Sequence, residues 1–138
     1  TFVGENNPFY GKVLSVDNNL VTVESNGKNF LATAGKDNKN NNHSFKPNDE
    51  VIMFIRPESI FIKNENQALD NIFSAKVNSI EFEGNLKNIY LKMNSGMNVR
   101  FSVPNAVDTS DLSNNKDVEL TFSSKKAVVL PKGSLAVD

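Results

Sequence analysis

The sequence contains no cysteine and no tryptophan, one histidine and only two arginines, Arg56 and Arg100. Without cysteine there are no disulfide staples and no thiolate metal sites, a composition that suits a reducing compartment. With His43 as the one histidine there is no His cluster, and no HExxH or calcium-loop pattern occurs, so no transition-metal centre is expected. A GxxxxGK[ST] loop is also missing, so this stretch does not cradle nucleotide phosphates in that way. No run approaches the roughly 18 apolar residues of a membrane helix, and no signal-peptide pattern opens the chain. Fifteen Lys+Arg against sixteen Asp+Glu give a net charge of -1. Proteins that work by neutralising phosphates are usually basic, so the balance argues against nucleic acid. The start at Thr1 without Met leads us to expect a piece of a longer chain.

Asparagine is abundant instead, with 22 copies in 138 residues, including the tract Asn40, Asn41, Asn42. Codon usage in an AT-rich genome explains the excess more simply than a functional polar tract. Residues 34–48 are almost free of apolar side chains except Phe45, which predicts a mobile surface loop.

Most of the remaining chain reads as short alternating strands with β-branched and aromatic residues. The pattern predicts strands at 9–16, 20–24, 28–33, 50–56, 59–63, 73–82, 86–93, 97–103, 117–122 and 126–130. Asn26-Gly27 is a hairpin signal. The run 51–55 is apolar throughout and is expected to be buried on both faces, and Pro57 ends it because proline cannot donate to a ladder. No segment carries a sustained helical period.

The second half repeats the first. Residues 7–16 (NPFYGKVLSV) align with residues 71–80 (NIFSAKVNSI), with identity at Asn, Phe, Lys, Val and Ser. Further on, Val51, Phe54 and Ile60 have counterparts near Val118, Thr121 or Phe122, and Ala127. Two matches in the same order indicate duplication. Five strands per half, closing to remove edges, predict an all-β fold of two tandem OB-like small barrels packed together. The expected division is a junction at 1–6, a first lobe at 7–64 and a second at 65–138.

No catalytic constellation is legible. A Ser-His-Asp arrangement through His43 is formally open, but a lone loop histidine is ordinarily solvated. Glu81 and Glu83 share one face beside the Gly84 turn, and a solvated edge pair is the simpler reading than a cation site. Phe9, Tyr10, Phe73, Tyr90 and Phe101 could serve as stacking platforms for single strands, yet the matched positions of Phe9 and Phe73 point to core. Lys125 and Lys126 read as a solvated strand entry. The sharpest local motif is Arg56-Pro57-Glu58, read either as a structural ion pair or strand cap, or as a contact to a partner domain.

Several segments together resemble a known family. Residues 2–7 (FVGENN) look like the junction that ends the nucleotide-binding domain in ATP-binding subunits of bacterial ABC importers. Residues 51–60 (VIMFIRPESI) resemble the signature of the domain that follows, and residues 79–85 (SIEFEGN) its Ile-Glu-Phe-x-Gly turn. Residues 118–130, ending in Ala127 to Leu130 before Pro131, are similar to its terminal strands. The family is the transport-associated OB (TOBE) domain. The resemblance implies a non-catalytic regulatory and dimerisation domain of an importer ATPase of the polyamine, ferric iron, sugar or phosphonate type. It implies ATP and Mg only in a nucleotide-binding domain that this chain lacks, a homodimer, membrane permease partners reached through that domain, and a place on the cytoplasmic face of the membrane. In some members the domain receives an inhibitory protein or ligand. Arg56, Pro57, Glu58, Glu81 and Gly84 are the positions on which the motifs fall. The long Asn-rich loop at 36–44 departs from the family pattern. Two alternatives stand beside this reading. One is a small-ligand module, since related lobes bind oxyanions such as molybdate, with Lys12, Lys76, Arg56 or Arg100 as candidate cations. The other is a free-standing nucleic-acid-binding barrel.

Overall fold

The computed structural model describes residues 6–64 and 69–133. The junction at 1–6 lies outside the described residues apart from Asn6. Ten strands follow one another: β1 (Asn7–Asp17), β2 (Leu20–Ser25), β3 (Lys28–Ala34), β4 (Glu50–Ile55), β5 (Phe61–Ile62), β6 (Asn71–Glu83), β7 (Leu86–Lys92), β8 (Asn98–Pro104), β9 (Asp117–Phe122) and β10 (Ala127–Pro131). All ten predicted strands are present, and two short 3₁₀ turns, Pro57–Ser59 and Ser124–Lys126, precede β5 and β10.

The alternation places Val21, Val23, Ile89 and Leu91 inside, as the period-2 pattern requires. Residues Val51 to Ile55 of β4 are all buried, so this strand is covered on both faces. Phe9 and Phe73 are completely buried. Phe9 meets Phe30 edge-on with ring centroids 5.4 Å apart, and Phe73 meets Phe122 at 5.9 Å. These are core rings in the geometry that aromatic quadrupoles prefer, not platforms for bases.

The duplication extends to individual backbone hydrogen bonds. β1 carries a bulge between Val13 and Ser15, and β6 carries one between Val77 and Ser79. Val13 N donates to Asp49 O at 2.9 Å, and its counterpart Val77 N donates to Lys116 O at 2.9 Å. Asn48 N donates to Val13 O at 2.8 Å, matched by Asn115 N to Val77 O at 2.8 Å. Asn48 and Asn115 both adopt positive φ, 75° and 68°, which asparagine tolerates better than most side chains.

The chain divides into two compact units, 1–56 with 123–138, and 57–122. This differs from the halves read in the sequence, 7–64 and 65–138. The cause is an exchange of fifth strands. β10, from the end of the second repeat, pairs with β4 and runs parallel to β3, closing the barrel β1-β2-β3-β10-β4. β5, from the end of the first repeat, pairs with β9 in the sheet β5-β9-β6-β7-β8. The equivalence is exact in register: Val128 opposite Phe54 and Val129 opposite Met53 correspond to Phe61 opposite Thr121 and Ile62 opposite Leu120.

The Asn-rich segment, expected to be a mobile loop, is fastened by its own side chains. The Asp37 carboxylate accepts from Lys39 N at 2.9 Å and Asn41 N at 3.0 Å. Asp37 N donates to Asn41 O at 2.7 Å, and His43 N donates to Gly35 O at 2.9 Å. Lys36 bridges to Asn42 in both backbone and side chain, the latter at 3.0 Å. Asp and Asn side chains here close turns on themselves, which a count of polar residues does not register.

Candidate functional site

Arg56-Pro57-Glu58 lies where the chain leaves the first unit for the second. Pro57 has no N–H, so the β4 ladder stops before it, and its fixed φ opens the 3₁₀ turn Pro57–Ser59. Pro57 is buried, whereas Arg56 and Glu58 are exposed. Among the described residues these two charges form no ion pair with each other, so the ion-pair reading of the motif is not what the structure contains. Its counterpart in the duplicate is Ser123-Ser124-Lys125. There Ser124 is buried at the Pro57 position, and the Ser123 hydroxyl caps the turn by accepting from Lys125 N at 3.1 Å. The motif marks the crossing between units, and its two exposed charges are free to meet something else.

Glu81 and Glu83 lie on one face near the tip of the β6–β7 hairpin, opposite Asn88 and Leu86. The Glu83 carboxylate accepts from Asn88 Nδ2 at 3.0 Å, and Ser102 Oγ donates to Asn88 Oδ1 at 2.6 Å. Asn88 is buried, so these contacts satisfy it. Gly84 turns the hairpin at φ 58°, and its carbonyl accepts from Asn105 Nδ2 at 3.1 Å. The described residues contain no group of three His, Cys, Asp or Glu side chains able to hold a metal. His43 stands with its ring 6.1 Å from that of Phe45.

The outer face of each unit carries a row of charges set by strand register. In the first unit Lys12 sits opposite both Glu24 and Glu50, and Lys132 reaches Glu50 at 3.6 Å. The signs alternate across four adjacent segments. These residues, with Tyr10, Gly11 and Asn26, line a shallow cleft of about 290 Å³. Its two ammonium and two carboxylate groups balance, which does not suit a phosphate backbone. Gly11 is needed there because a Cβ would come within 2.2 Å of the Glu24 carbonyl oxygen. In the second unit the same row reads Lys92, Lys76, Asp117, with Lys76 opposite both and 3.5 Å from Asp117. Lys92 thus stands where the first unit has Glu24.

The four cations of the oxyanion reading lie on different strands or segments. Lys12 and Lys76 occupy equivalent places in different units, Arg100 lies opposite Tyr90 on β8, and Arg56 follows β4. None is a cross-strand neighbour of another. Three surface carboxyls, Asp37, Asp49 and Asp108, are held below their ordinary range. Backbone N–H donors are the leading cause in each, from Asn41 and then Lys39 for Asp37, from Lys46 for Asp49 and from Ser110 for Asp108. All three belong to loops preceding or following strands.

The strongest exposed apolar feature escaped the sequence reading. Phe82 is 73% exposed at the tip of the β6–β7 hairpin, with Leu86 and Val107 also exposed in the same unit. In the alternation pattern Phe82 is simply the next inward residue after Ile80. Phe82 is paired with Lys87, and Lys87 with Val103, yet among the described residues the ring stays exposed.

Comparison with known proteins agrees with this architecture. The family model of the TOBE domain matches residues 53–130, from within β4 to β10. A search of curated proteins finds no match. Among solved structures the chain is similar to the cytoplasmic molybdate-binding protein ModG in a molybdate-bound form. The TM-score is 0.71 at 15% sequence identity, covering 89% of this chain and 94% of that one. At that identity the likeness speaks to the fold. No helix among the described residues is long and apolar enough to cross a membrane. The family match covers more than half of the sequence and includes the whole second unit: the chain belongs to the TOBE domain family of non-catalytic binding domains.

Proposed function

We propose that this chain is the regulatory and dimerisation part of the ATP-binding subunit of a binding-protein-dependent ABC importer, working on the cytoplasmic face of the membrane. The observation that carries the reading is Arg56-Pro57-Glu58 at the passage between two strand-exchanged units, with Glu81 to Gly84 at the tip of the second unit's hairpin. Family membership is consistent with both placements. In this role ATP and Mg bind only in a separate nucleotide-binding domain, and permease subunits are met through that domain. The module contributes rigid β surfaces that hold two ATPase subunits in register. Sequencing the gene upstream of Thr1 tests the reading directly. A GxxxxGK[ST] loop is expected there, and the extended subunit should hydrolyse ATP while residues 1–138 do not. An upstream frame without such a loop removes the proposal.

A second reading is favoured by the fold shared with ModG, a molybdate-binding protein. Here the module senses a small ligand, an oxyanion first, with Lys12, Lys76, Arg56 or Arg100 supplying charge. Thermal unfolding with molybdate, tungstate, sulfate, phosphate, polyamines and sugars separates the two. A ligand at 100 times its Kd stabilises a folded protein by about 2.7 kcal/mol, a rise of several degrees in Tm. No rise with any of them eliminates this reading and leaves the first intact.

A further inference from the structure

We propose that the cleft on the first unit binds a free α-amino acid with an apolar side chain, its carboxylate on the Lys12 ammonium and its ammonium on the Glu24 carboxylate. The inference goes beyond the importer role. It also differs from the oxyanion reading, which uses cations alone.

An opened couple of opposite charges supplies the first reason. Lys12 and Glu24 are cross-strand partners on β1 and β2. Side chains so placed stand about 5 Å apart at Cβ, and opposite charges there attract. Yet the Glu24 carboxylate accepts from Gly27 N at 2.8 Å instead. Glu50, the other carboxylate opposite Lys12, is engaged by Lys132 at 3.6 Å. Among the described residues Lys12 makes no ion pair. The hairpin turn thus holds the Glu24 carboxylate away from the Lys12 ammonium. A molecule with both charges on one carbon fits between them and gives each the opposite charge it lacks.

Strand register builds the rest of the site. Period-2 alternation puts Tyr10 on the same face of β1 as Lys12. Tyr10 is 54% exposed, and its carbonyl accepts from the Ser25 hydroxyl at 2.6 Å. Its ring walls the cleft and offers an apolar surface to the ligand's side chain. At about 290 Å³ the cleft sits at the small end of ligand pockets, which run from roughly 300 to 1,000 Å³. That size suits one small molecule.

The internal duplicate lacks the arrangement. The counterparts of Tyr10, Lys12, Glu24 and Glu50 are Ser74, Lys76, Lys92 and Asp117. There Lys76 pairs with Asp117 at 3.5 Å, and a second cation stands in the place of Glu24. A five-stranded unit of this fold therefore forms with neither the aromatic wall nor the opened couple.

Charge selects the ligand. An anion in the cleft meets Glu24 and Glu50, and a cation meets Lys12 and Lys132. A neutral sugar desolvates all four groups without neutralising any of them. A zwitterion offers both signs at once.

The test is an amide NMR titration of the isotope-labelled chain with L-leucine and L-phenylalanine. Saturable shifts are expected at Lys12, Glu24 and Gly27, whose N–H reports on the Glu24 carboxylate. N-acetyl-L-leucine lacks the ammonium and L-leucinamide lacks the carboxylate; each should bind about tenfold more weakly or worse, the loss of one charged hydrogen bond. Lys12→Gln and Glu24→Gln should each weaken L-leucine binding by a similar factor, and Lys125→Gln should leave it unchanged. The analogues are compared on the unaltered chain, so they decide the matter even where a variant fails to fold. No saturable shift with either amino acid, equal binding of either analogue, or glucose saturating the same amides would overturn the inference. Shifts with molybdate but with neither amino acid would also overturn it while sustaining the oxyanion reading. None of these outcomes bears on the upstream phosphate loop that decides the importer role.

Discussion

Gly35 donates its N–H to the carbonyl oxygen of Val129 at 2.8 Å, and this contact completes the parallel seam that closes the first barrel. Strand register makes Pro104 the counterpart of Gly35: Leu20 opposite Thr33 corresponds to Asn88 opposite Ser102. Proline has no N–H to give. Accordingly, no pairing between β5 and β8 is found among the described residues, and these strands are the two ends of the second sheet. Gly35 is also confined sterically, since a Cβ would come within 2.9 Å of Val129 O and 2.5 Å of Leu130 Cδ2. Gly35→Pro should therefore cost about 1 kcal/mol for the bond and roughly 1–3 kcal/mol for the overlap. Urea unfolding measures it. An unchanged midpoint would mean the seam contributes nothing.

Gly11 and Ala75 are aligned in the duplicate, but the two sites differ in space. A Cβ at Gly11 would meet the Glu24 backbone oxygen at 2.2 Å, which only a strand displacement relieves. Gly11→Ala should destabilise by about 1–3 kcal/mol or more, whereas Ala75→Gly should cost no more than about 1 kcal/mol. Equal losses from the two exchanges, measured by thermal unfolding, would contradict the close approach of β1 to β2.

How far the sequence reaches can be judged at particular residues. The period-2 alternation located every strand, because a half-buried sheet imposes it directly. The repeat is legible in residues 7–16 and 71–80, and the match of Ile60 with Ala127 agrees with the register that makes Phe61 the counterpart of Val128. The exchange of β5 and β10 was not legible. Each fifth strand is equally apolar for either unit, and only the Gly35–Val129 contact and the ladders decide which one it joins. Codon usage alone does not account for the asparagine excess. Every described non-glycine residue with positive φ is an asparagine, namely Asn18, Asn26, Asn40, Asn48 and Asn115. Asn7, Asn71 and Asn88 are buried as well. Much of the excess thus does backbone and core work that composition does not reveal. The site residues fared differently. Arg56-Pro57-Glu58 is legible because proline punctuates a strand, while the exposure of Phe82 is not, because it depends on what packs over that face of the hairpin.

The matched asparagines give a third prediction. Asn7 is buried and donates from Nδ2 to Ile55 O at 3.1 Å. Asn7→Ala should cost about 1–3 kcal/mol, the range for removing one partner of a buried hydrogen bond. Asn7→Asp should cost more at neutral pH, because it replaces the donor with a buried charge. Thermal unfolding of both variants checks the order, and Asp equal to or better than Ala would refute the donor role.

The charge rows give a fourth. Lys92 lies directly opposite Lys76, and like charges in that position repel. The first unit has Glu24 opposite Lys12 at the same place. Lys92→Glu should stabilise by about 0.2–1 kcal/mol, and the gain should shrink in high salt. Differential scanning calorimetry at two ionic strengths tests both parts.

Acid unfolding gives the last. The carboxyls of Asp37, Asp49 and Asp108 are each held below 3.8 in the folded chain, chiefly by backbone N–H donors. A carboxyl with a lowered folded value binds fewer protons than its unfolded form as pH falls through 3.8. Its stabilisation is therefore complete above that pH and is lost as pH drops through the folded values. The triple variant Asp37→Asn, Asp49→Asn, Asp108→Asn keeps the turn-forming side chains and removes the charge. It should melt below wild type at neutral pH, and the gap should close as pH falls below the ordinary carboxyl range. The three groups lie at the surface, so the gap should also narrow with salt. A gap that stays constant on acidification through the carboxyl range would show that these hydrogen bonds do not discriminate between the charged and the protonated carboxyls.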